Sequence, residues 1–254
     1  MNIFEIRNLT VAFGGLTAVS NFNLEVKEGE IRGLIGPNGA GKTTIFNAIS
    51  RYYEAAAGEI NFRSQNLLKL KAHEIPRIGI ARTFQNLEIF KSMTVLENVL
   101  VGHHSRLHAN FVQAFLKLNG ARHEEKKAAA FALELLDFVG LAEEAENKAA
   151  NLPFGKLKKL EVARALAAQP RLLLLDEPAA GMNSEEIKEL DDLLKVMRDK
   201  WNITILLVEH VMQLVMGICD HITVINFGVK IAEGVPEVIK NHPEVIEAYL
   251  GKEA

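Results

Sequence analysis

The chain is poor in sulfur, nearly balanced in charge, and without a long apolar run. It carries one cysteine, Cys219, in 254 residues, so an intrachain disulfide framework is excluded and a reducing compartment is expected. Its formal net charge of −3 creates no global attraction to nucleic acid, although "KLKK", Lys156 to Lys159, is a local basic cluster. No apolar stretch approaches the roughly 20 residues needed to span a bilayer. The first residues, "MNIFEIRNLTV", alternate polar and apolar side chains where a leader would be basic and then apolar. Any membrane role must therefore come through partners.

What is present is a sizeable core. Residues of apolar type make up 48% and charged residues 24%, the balance of a globular protein of one domain, or one domain with an insertion. "IFEIRNLTVAF" and "NFNLEVKEG" alternate in the manner of half-buried strands, with turn signals at Gly14–Gly15 and Glu28–Gly29. "EIRGLIG" is a strand running into a glycine-rich loop, and "KTTIFNAISRYY" after it is helical. "GEINF" and "GIARTF" read as two further strands. From residue 87 to 159 the periodicity turns helical, in "TVLENVLVGHH", "FVQAFLKL" and "HEEKKAAAFALELLDFVGL". Then α/β patterning resumes. "RLLLLDE" and "ITILLVE" are continuous apolar runs, as expected of strands buried on both faces of a parallel sheet. "SEEIKELDDLLKVMRDK" is a helix for which Ser184 is the expected N-cap. "HITVINFG" and "KIAEG" are strands, and "PEVIKN" and "PEVIEAYLG" are short helices opened by proline.

The chemistry-bearing motif is "GPNGAGKTT": Gly36, Pro37, Asn38, Gly39, Ala40, Gly41, Lys42, Thr43 and Thr44. Glycines let such a loop curl until its backbone N–H groups face a phosphate, and the helix behind it contributes the positive end of its dipole. Lys42 is expected to reach the β- and γ-phosphates and Thr43 to ligate Mg²⁺. Asp176 and Glu177 close the strand "LLLLDE". An acid there can hold Mg²⁺ through its water, and a second can orient or deprotonate an attacking water. Gln85 in "RTFQN" and His210 in "LLVEH" fall just past strands, where an amide can touch metal and water and an imidazole can donate to a γ-phosphate. Phe13 closes an early strand, either to stack on adenine or to fill the core.

In this order, the motifs resemble those of the ATP-binding subunit of an ABC transporter, and the resemblance spans the whole chain. It implies a RecA-like P-loop ATPase core with an N-terminal antiparallel β subdomain and an inserted α-helical subdomain: an α/β domain with residues 1–86 and 160–254 as core and 87–159 as the helical part. It places the adenine platform on Phe13, magnesium ligation on Thr43, Gln85 and Asp176, the catalytic glutamate on Glu177 and the switch histidine on His210. It implies a partner-facing turn at Ala180 to Asn183, "AGMN", where the family usually ends in Asp. The family's signature, commonly Leu-Ser-Gly-Gly-Gln, falls on Leu152, Pro153, Phe154, Gly155 and Lys156. Pro153 lacks the hydroxyl and the N–H that serine would offer, Gly155 still permits close approach, and Lys156, Lys158 and Lys159 add charge.

"GIARTFQNLEIFKSMTVLENVLVG", "LLLLDEPAAGMN" and the ending "HPEVIEAYLG" look like the ATPases of branched-chain amino acid importers, and the long insert like the larger of their two ATPase subunits. The resemblance implies ATP and Mg²⁺ as cofactors and a second ATPase subunit as partner. It also implies two transmembrane permease subunits and, indirectly, an external solute-binding protein, but no nucleic acid. The chain would sit at the cytoplasmic face of the membrane. Related systems for urea or amide import or lipopolysaccharide export, a DNA- or ribosome-acting ATPase, and a phosphate-loop nucleotide kinase are the alternatives.

Overall fold

The computed structural model describes residues 1–85, 87–103 and 119–250. These divide into two units, Met1–Ile75 with Arg171–Ala254, and Pro76–Pro170. The helical reading of "FVQAFLKL" falls outside the described residues.

The first unit opens with a hairpin of β1 (Asn2–Phe13) and β2 (Leu16–Lys27), paired antiparallel through Phe13 and Leu16. Gly14 at the tip has φ 58°, a left-handed conformation that favours glycine. β3 (Ile31–Ile35) follows, every residue buried, and leads into α1 (Lys42–Ile49). β4 (Ala57–Phe62) and β5 (Gln65–Asn66) return to the hairpin, giving the order β2-β1-β4-β5.

The described residues of the second unit include the short β6 (Ile80–Arg82) and the α-helices α2 (Val95–His103), α3 (Asn119–Phe138) and α4 (Phe154–Ala167). Thr94 and Glu97 form a reciprocal cap for α2: the Thr94 N–H donates to the Glu97 carboxylate at 2.7 Å, and the Glu97 N–H to the Thr94 hydroxyl at 3.0 Å. α2 then lies flush on α4 at Gly102, where a Cβ would stand 2.1 Å from the Arg164 carbonyl oxygen. No other residue fits that crossing.

The first unit resumes with β7 (Leu172–Asp176), α5 (Ser184–Trp201), β8 (Thr204–Val208), α6 (Met212–Ile218), β9 (His221–Asn226), β10 (Val229–Gly234), α7 (Pro236–Lys240) and α8 (Pro243–Leu250). β9, β3, β8 and β7 run parallel in that order, and β10 pairs antiparallel with β9. The apolar runs of β7 and β8 are buried at every position, as continuous rather than alternating hydrophobicity requires.

One expectation is corrected. The N-cap of α5 is Asn183, not Ser184. The Asn183 side chain accepts from the N–H groups of Glu185 and Glu186 at 2.9 and 3.0 Å, and the Glu186 carboxylate accepts from the Asn183 N–H at 2.9 Å. Both residue types cap well, but only at Asn183 does an acid fall three positions on, where it can reach back to the cap's own N–H.

Candidate functional site

The phosphate loop takes its shape from the strands behind it. A Cβ on Gly36 would lie 2.0 Å from the Ile225 carbonyl oxygen of β9, and one on Gly41 would lie 2.9 Å from the Ala18 carbonyl oxygen of β2. Both glycines are therefore fixed by close approach. Gly39 has open space where its Cβ would be; its φ of 77° is what demands glycine. The Ala40 N–H donates to the Pro37 carbonyl at 3.2 Å, and the Gly228 N–H to the Ala40 carbonyl at 2.9 Å. Both sheets of the unit thus brace the loop.

Lys42 is buried, and its ammonium donates to the carbonyls of Gly36 and Pro37 at 2.7 and 2.9 Å. Burial pushes its pKa below the ordinary lysine value, and the nearby charges of Glu177 and Asp176 oppose that shift. A cation held this way inside a glycine-rich loop at a helix start suits a phosphate chain. Thr43, the second residue of α1, is exposed.

Asp176 is buried at the last position of β7. Glu177 leaves the strand with φ 51°, a left-handed conformation that costs a non-glycine residue about 1 kcal/mol or more. Its N–H still reaches the Val208 carbonyl at 2.8 Å. The turn places its Oε1 2.8 Å from Nε2 of His210. Asp176, Glu177, His210 and Lys42, scattered over 169 positions of sequence, thus belong to one neighbourhood at the carboxyl ends of parallel strands. Such a crevice is where open α/β sheets bind ligands.

Phe13 is 45% exposed and meets Tyr53 edge-on, with ring centroids 4.9 Å apart. That exposure excludes the core-filling alternative and leaves a flat aromatic surface.

In the second unit, Pro153 is the N-cap residue of α4 and makes no side-chain cap bond. Phe154 and Gly155 form the first turn, with Phe154 48% exposed. Two of the three lysines of this helix start are engaged within the unit. Lys156 is paired with Glu144 at 2.5 Å, and Lys158 is buried with its ammonium 5.9 Å above the Phe154 ring. Gln85 lies three residues past β6, beside Phe84, whose N–H donates to the buried carboxylate of Glu161 at 3.0 Å. Burial raises the Glu161 pKa, and the Phe84 bond works against it.

Two contributors escape sequence reading. Glu209 is buried and bonds the backbone on both sides of the Glu177–His210 pair; an acid directly before a strand-end histidine was its only signal. Tyr249 of α8 accepts a hydrogen bond from the Gly36 main chain, with burial pushing its hydroxyl pKa up to about 12. Nothing in "EAYLG" announces that contact.

The ABC transporter family profile matches residues 19–180. The chain belongs to the ABC transporter family. A second profile, described as branched-chain amino acid ATP-binding cassette transporter, matches residues 229–254. The high-affinity branched-chain amino acid transport ATP-binding protein LivG of Escherichia coli is 47% identical over 250 residues, 98% of each chain. The corresponding protein BraF of Pseudomonas aeruginosa is 45% identical over the same share of each. A crystal structure of the ADP conformation of an ATP-binding cassette from an ABC transporter matches with TM-score 0.86 at 30% identity, covering 99% of this chain and 100% of that one. A dimeric post-hydrolysis cassette bound to ADP and Pi matches with TM-score 0.76 at 25% identity, covering 92% and 98%. The ABC protein described here is an ATP-binding, ATP-hydrolysing subunit, with the RecA-like core, antiparallel β subdomain and helical insertion that its motifs imply.

Proposed function

We propose that this subunit energises import of branched-chain or other hydrophobic amino acids. The observation that carries the reading is the extent of the likeness: it runs over nearly the whole chain, and the C-terminal segment is matched separately by a branched-chain amino acid cassette profile. The protein pairs with a second ATPase subunit and docks beneath two transmembrane permease subunits at the cytoplasmic face. Among the described residues no helix is long and apolar enough to cross a membrane, which is compatible with that peripheral role.

The chain's own groups divide the work. Asn38, Gly39 and Gly41 offer backbone N–H groups to the phosphates, those of Gly36 and Ala40 being donated to Tyr249 and to the Pro37 carbonyl, and Lys42 transfers its ammonium from the Gly36 and Pro37 carbonyls to phosphate oxygens. Phe13 presents its face to adenine. Thr43, Asp176 and Gln85 would hold Mg²⁺, which supplies charge neutralisation on the transferring phosphoryl group. The donor set, a hydroxyl, a carboxylate and an amide oxygen, is of the hard type that ion prefers. Glu177 orients and deprotonates the attacking water, and His210, whose Nε2 meets that carboxylate, fixes it at the γ-phosphate end of the site. Leu152 to Lys156 complete the nucleotide site of the second subunit, with one hydrogen bond fewer because of Pro153.

Uptake of labelled leucine by proteoliposomes holding the whole transporter, driven by internal ATP, tests this directly. Lys42→Ala is expected to abolish it. Transport of urea or amides with no leucine uptake overturns the cargo assignment.

A further inference from the structure

Glu209 lies between β8 and His210 and is 1% exposed. A carboxylate that deep is costly unless its oxygens are saturated. Here the bonds come from the main chain. The Ala179 N–H donates to Oε1 at 2.7 Å, and the N–H groups of His210 and Val211 donate to Oε2 at 2.7 and 2.9 Å. Charge-assisted bonds of this kind are short and strong.

The three donors belong to two segments. Ala179 sits inside the turn that begins at Glu177, closed by the Ala180 N–H to the Glu177 carbonyl at 3.2 Å and the Met182 N–H to the Ala179 carbonyl at 3.1 Å. His210 and Val211 carry the imidazole that touches the Glu177 side chain. The contacts form a closed circuit: Glu177, its turn to Ala179, the Glu209 carboxylate, the His210 backbone, the His210 ring, and the Glu177 carboxylate again. A second tie runs inside it, from the Glu177 N–H to the Val208 carbonyl at 2.8 Å.

An apolar side chain at position 209 would bury as well and leave the strand intact, but it could not join the two segments. Glutamine could not do so either. Its single carbonyl can serve one side, and its amide then points donors at N–H donors on the other. The circuit requires an acceptor at both ends of one rigid group.

We infer that Glu209 is a positioning residue for ATP hydrolysis. It locks the turn after Glu177 to the His210 backbone, so that the Glu177 carboxylate and the His210 imidazole hold their separation and move together. The inference rests on the assignment of Glu177 and His210 to the hydrolytic step. It adds a buried residue, bonded to main-chain N–H groups, that acts through Glu177 and His210.

The test is steady-state ATP hydrolysis by the full chain in its transporter complex, for Glu209→Gln, Glu209→Asp, His210→Ala and the Glu209→Gln/His210→Ala double variant. Glu209→Gln is expected to lower kcat about ten- to a hundredfold, with the KM for ATP changed less than about threefold, since charge-assisted bonds are lost and the phosphate loop is untouched. Glu209→Asp keeps the charge but is one methylene too short to serve both segments. It is expected to lose kcat as well, and it carries the test should the glutamine variant fold poorly. The double variant is expected to be no slower than about threefold below His210→Ala, because both changes disable one unit. A glutamine variant with wild-type kcat and only a lowered melting temperature makes Glu209 purely structural and overturns the inference. Fully multiplicative losses in the double variant overturn it too. If His210→Ala itself keeps full turnover, the assignment beneath the inference fails instead, and that outcome is separable from the others.

Discussion

The imidazole Nε2 of His210 stands 2.8 Å from the Glu177 carboxylate, although the two residues are 33 apart in sequence. The contact exists because Glu177 turns back in a left-handed conformation at the end of β7 while its neighbour strand β8 delivers His210 beside it. A carboxylate on a strained backbone, held against an imidazole, fits the water-orienting role proposed for Glu177.

Glu177→Gln keeps the shape and removes the proposed base. Turnover is expected to fall about a hundredfold or more, in line with the usual weight of general-base catalysis. ATP affinity should stay within a few fold, because Lys42 and the loop amides are unchanged. Parallel measurement of hydrolysis and nucleotide binding checks both halves; a joint loss of affinity and rate would mean that Glu177 serves binding.

Pro153 caps α4 with no side-chain bond. Pro153→Ser supplies an N-cap hydroxyl worth about 1 kcal/mol of helix stability. It also restores a donor that a facing phosphate could use. ATPase activity of the assembled complex is expected to rise about tenfold or more, the weight of one hydrogen bond to a charged group. An unchanged rate and ATP affinity, with only a higher melting temperature, would confine the residue to capping.

Glu161 predicts a pH dependence. Its folded pKa is raised above the ordinary 4.5, chiefly by burial. The folded state therefore binds this proton more tightly than the unfolded chain does. The associated stability is complete below the ordinary value and is lost as pH rises through the folded pKa. Glu161→Gln does not titrate, and its carbonyl can still accept from the Phe84 N–H. The melting temperature of the variant relative to the parent should therefore climb as pH rises from 4.5. A difference that is flat with pH would contradict this.

Asn183→Ala removes the side-chain half of the α5 capping box and leaves the Asn183 N–H bonded to Glu186; it is expected to cost about 1 kcal/mol. Asn183→Asp should keep the cap, since its carboxylate accepts the same two N–H bonds. Chemical denaturation midpoints distinguish the two.

Local pattern carried much of this protein. Continuous apolar runs identified β7 and β8 as buried parallel strands, and the glycine spacing identified the loop before Lys42, because both signals are set by backbone period and φ preference. Asp176, Glu177 and His210 were legible as strand-end residues. The cap of α5 lies one position earlier than expected, since Asn183 and Ser184 both cap well and only the acid three positions after Asn183 separates them. The pairing of the lysines at the start of α4 was not legible. The pattern shows three charges, but Glu144 lies 12 residues before Lys156 and no periodicity links them.

By itself the sequence determined the parts: which strands are buried, where a phosphate can be cradled, and which acids and histidine stand at strand ends. Only the tertiary structure decided their company. Strand order placed β8 beside β7, and Glu177 and His210 met as a consequence. The Ala179 amide, on a different segment, joined those of His210 and Val211 on Glu209, and a C-terminal tyrosine reached Gly36. Such contacts join residues 30 to more than 200 positions apart. They follow from sheet topology, which short-range periodicity does not encode.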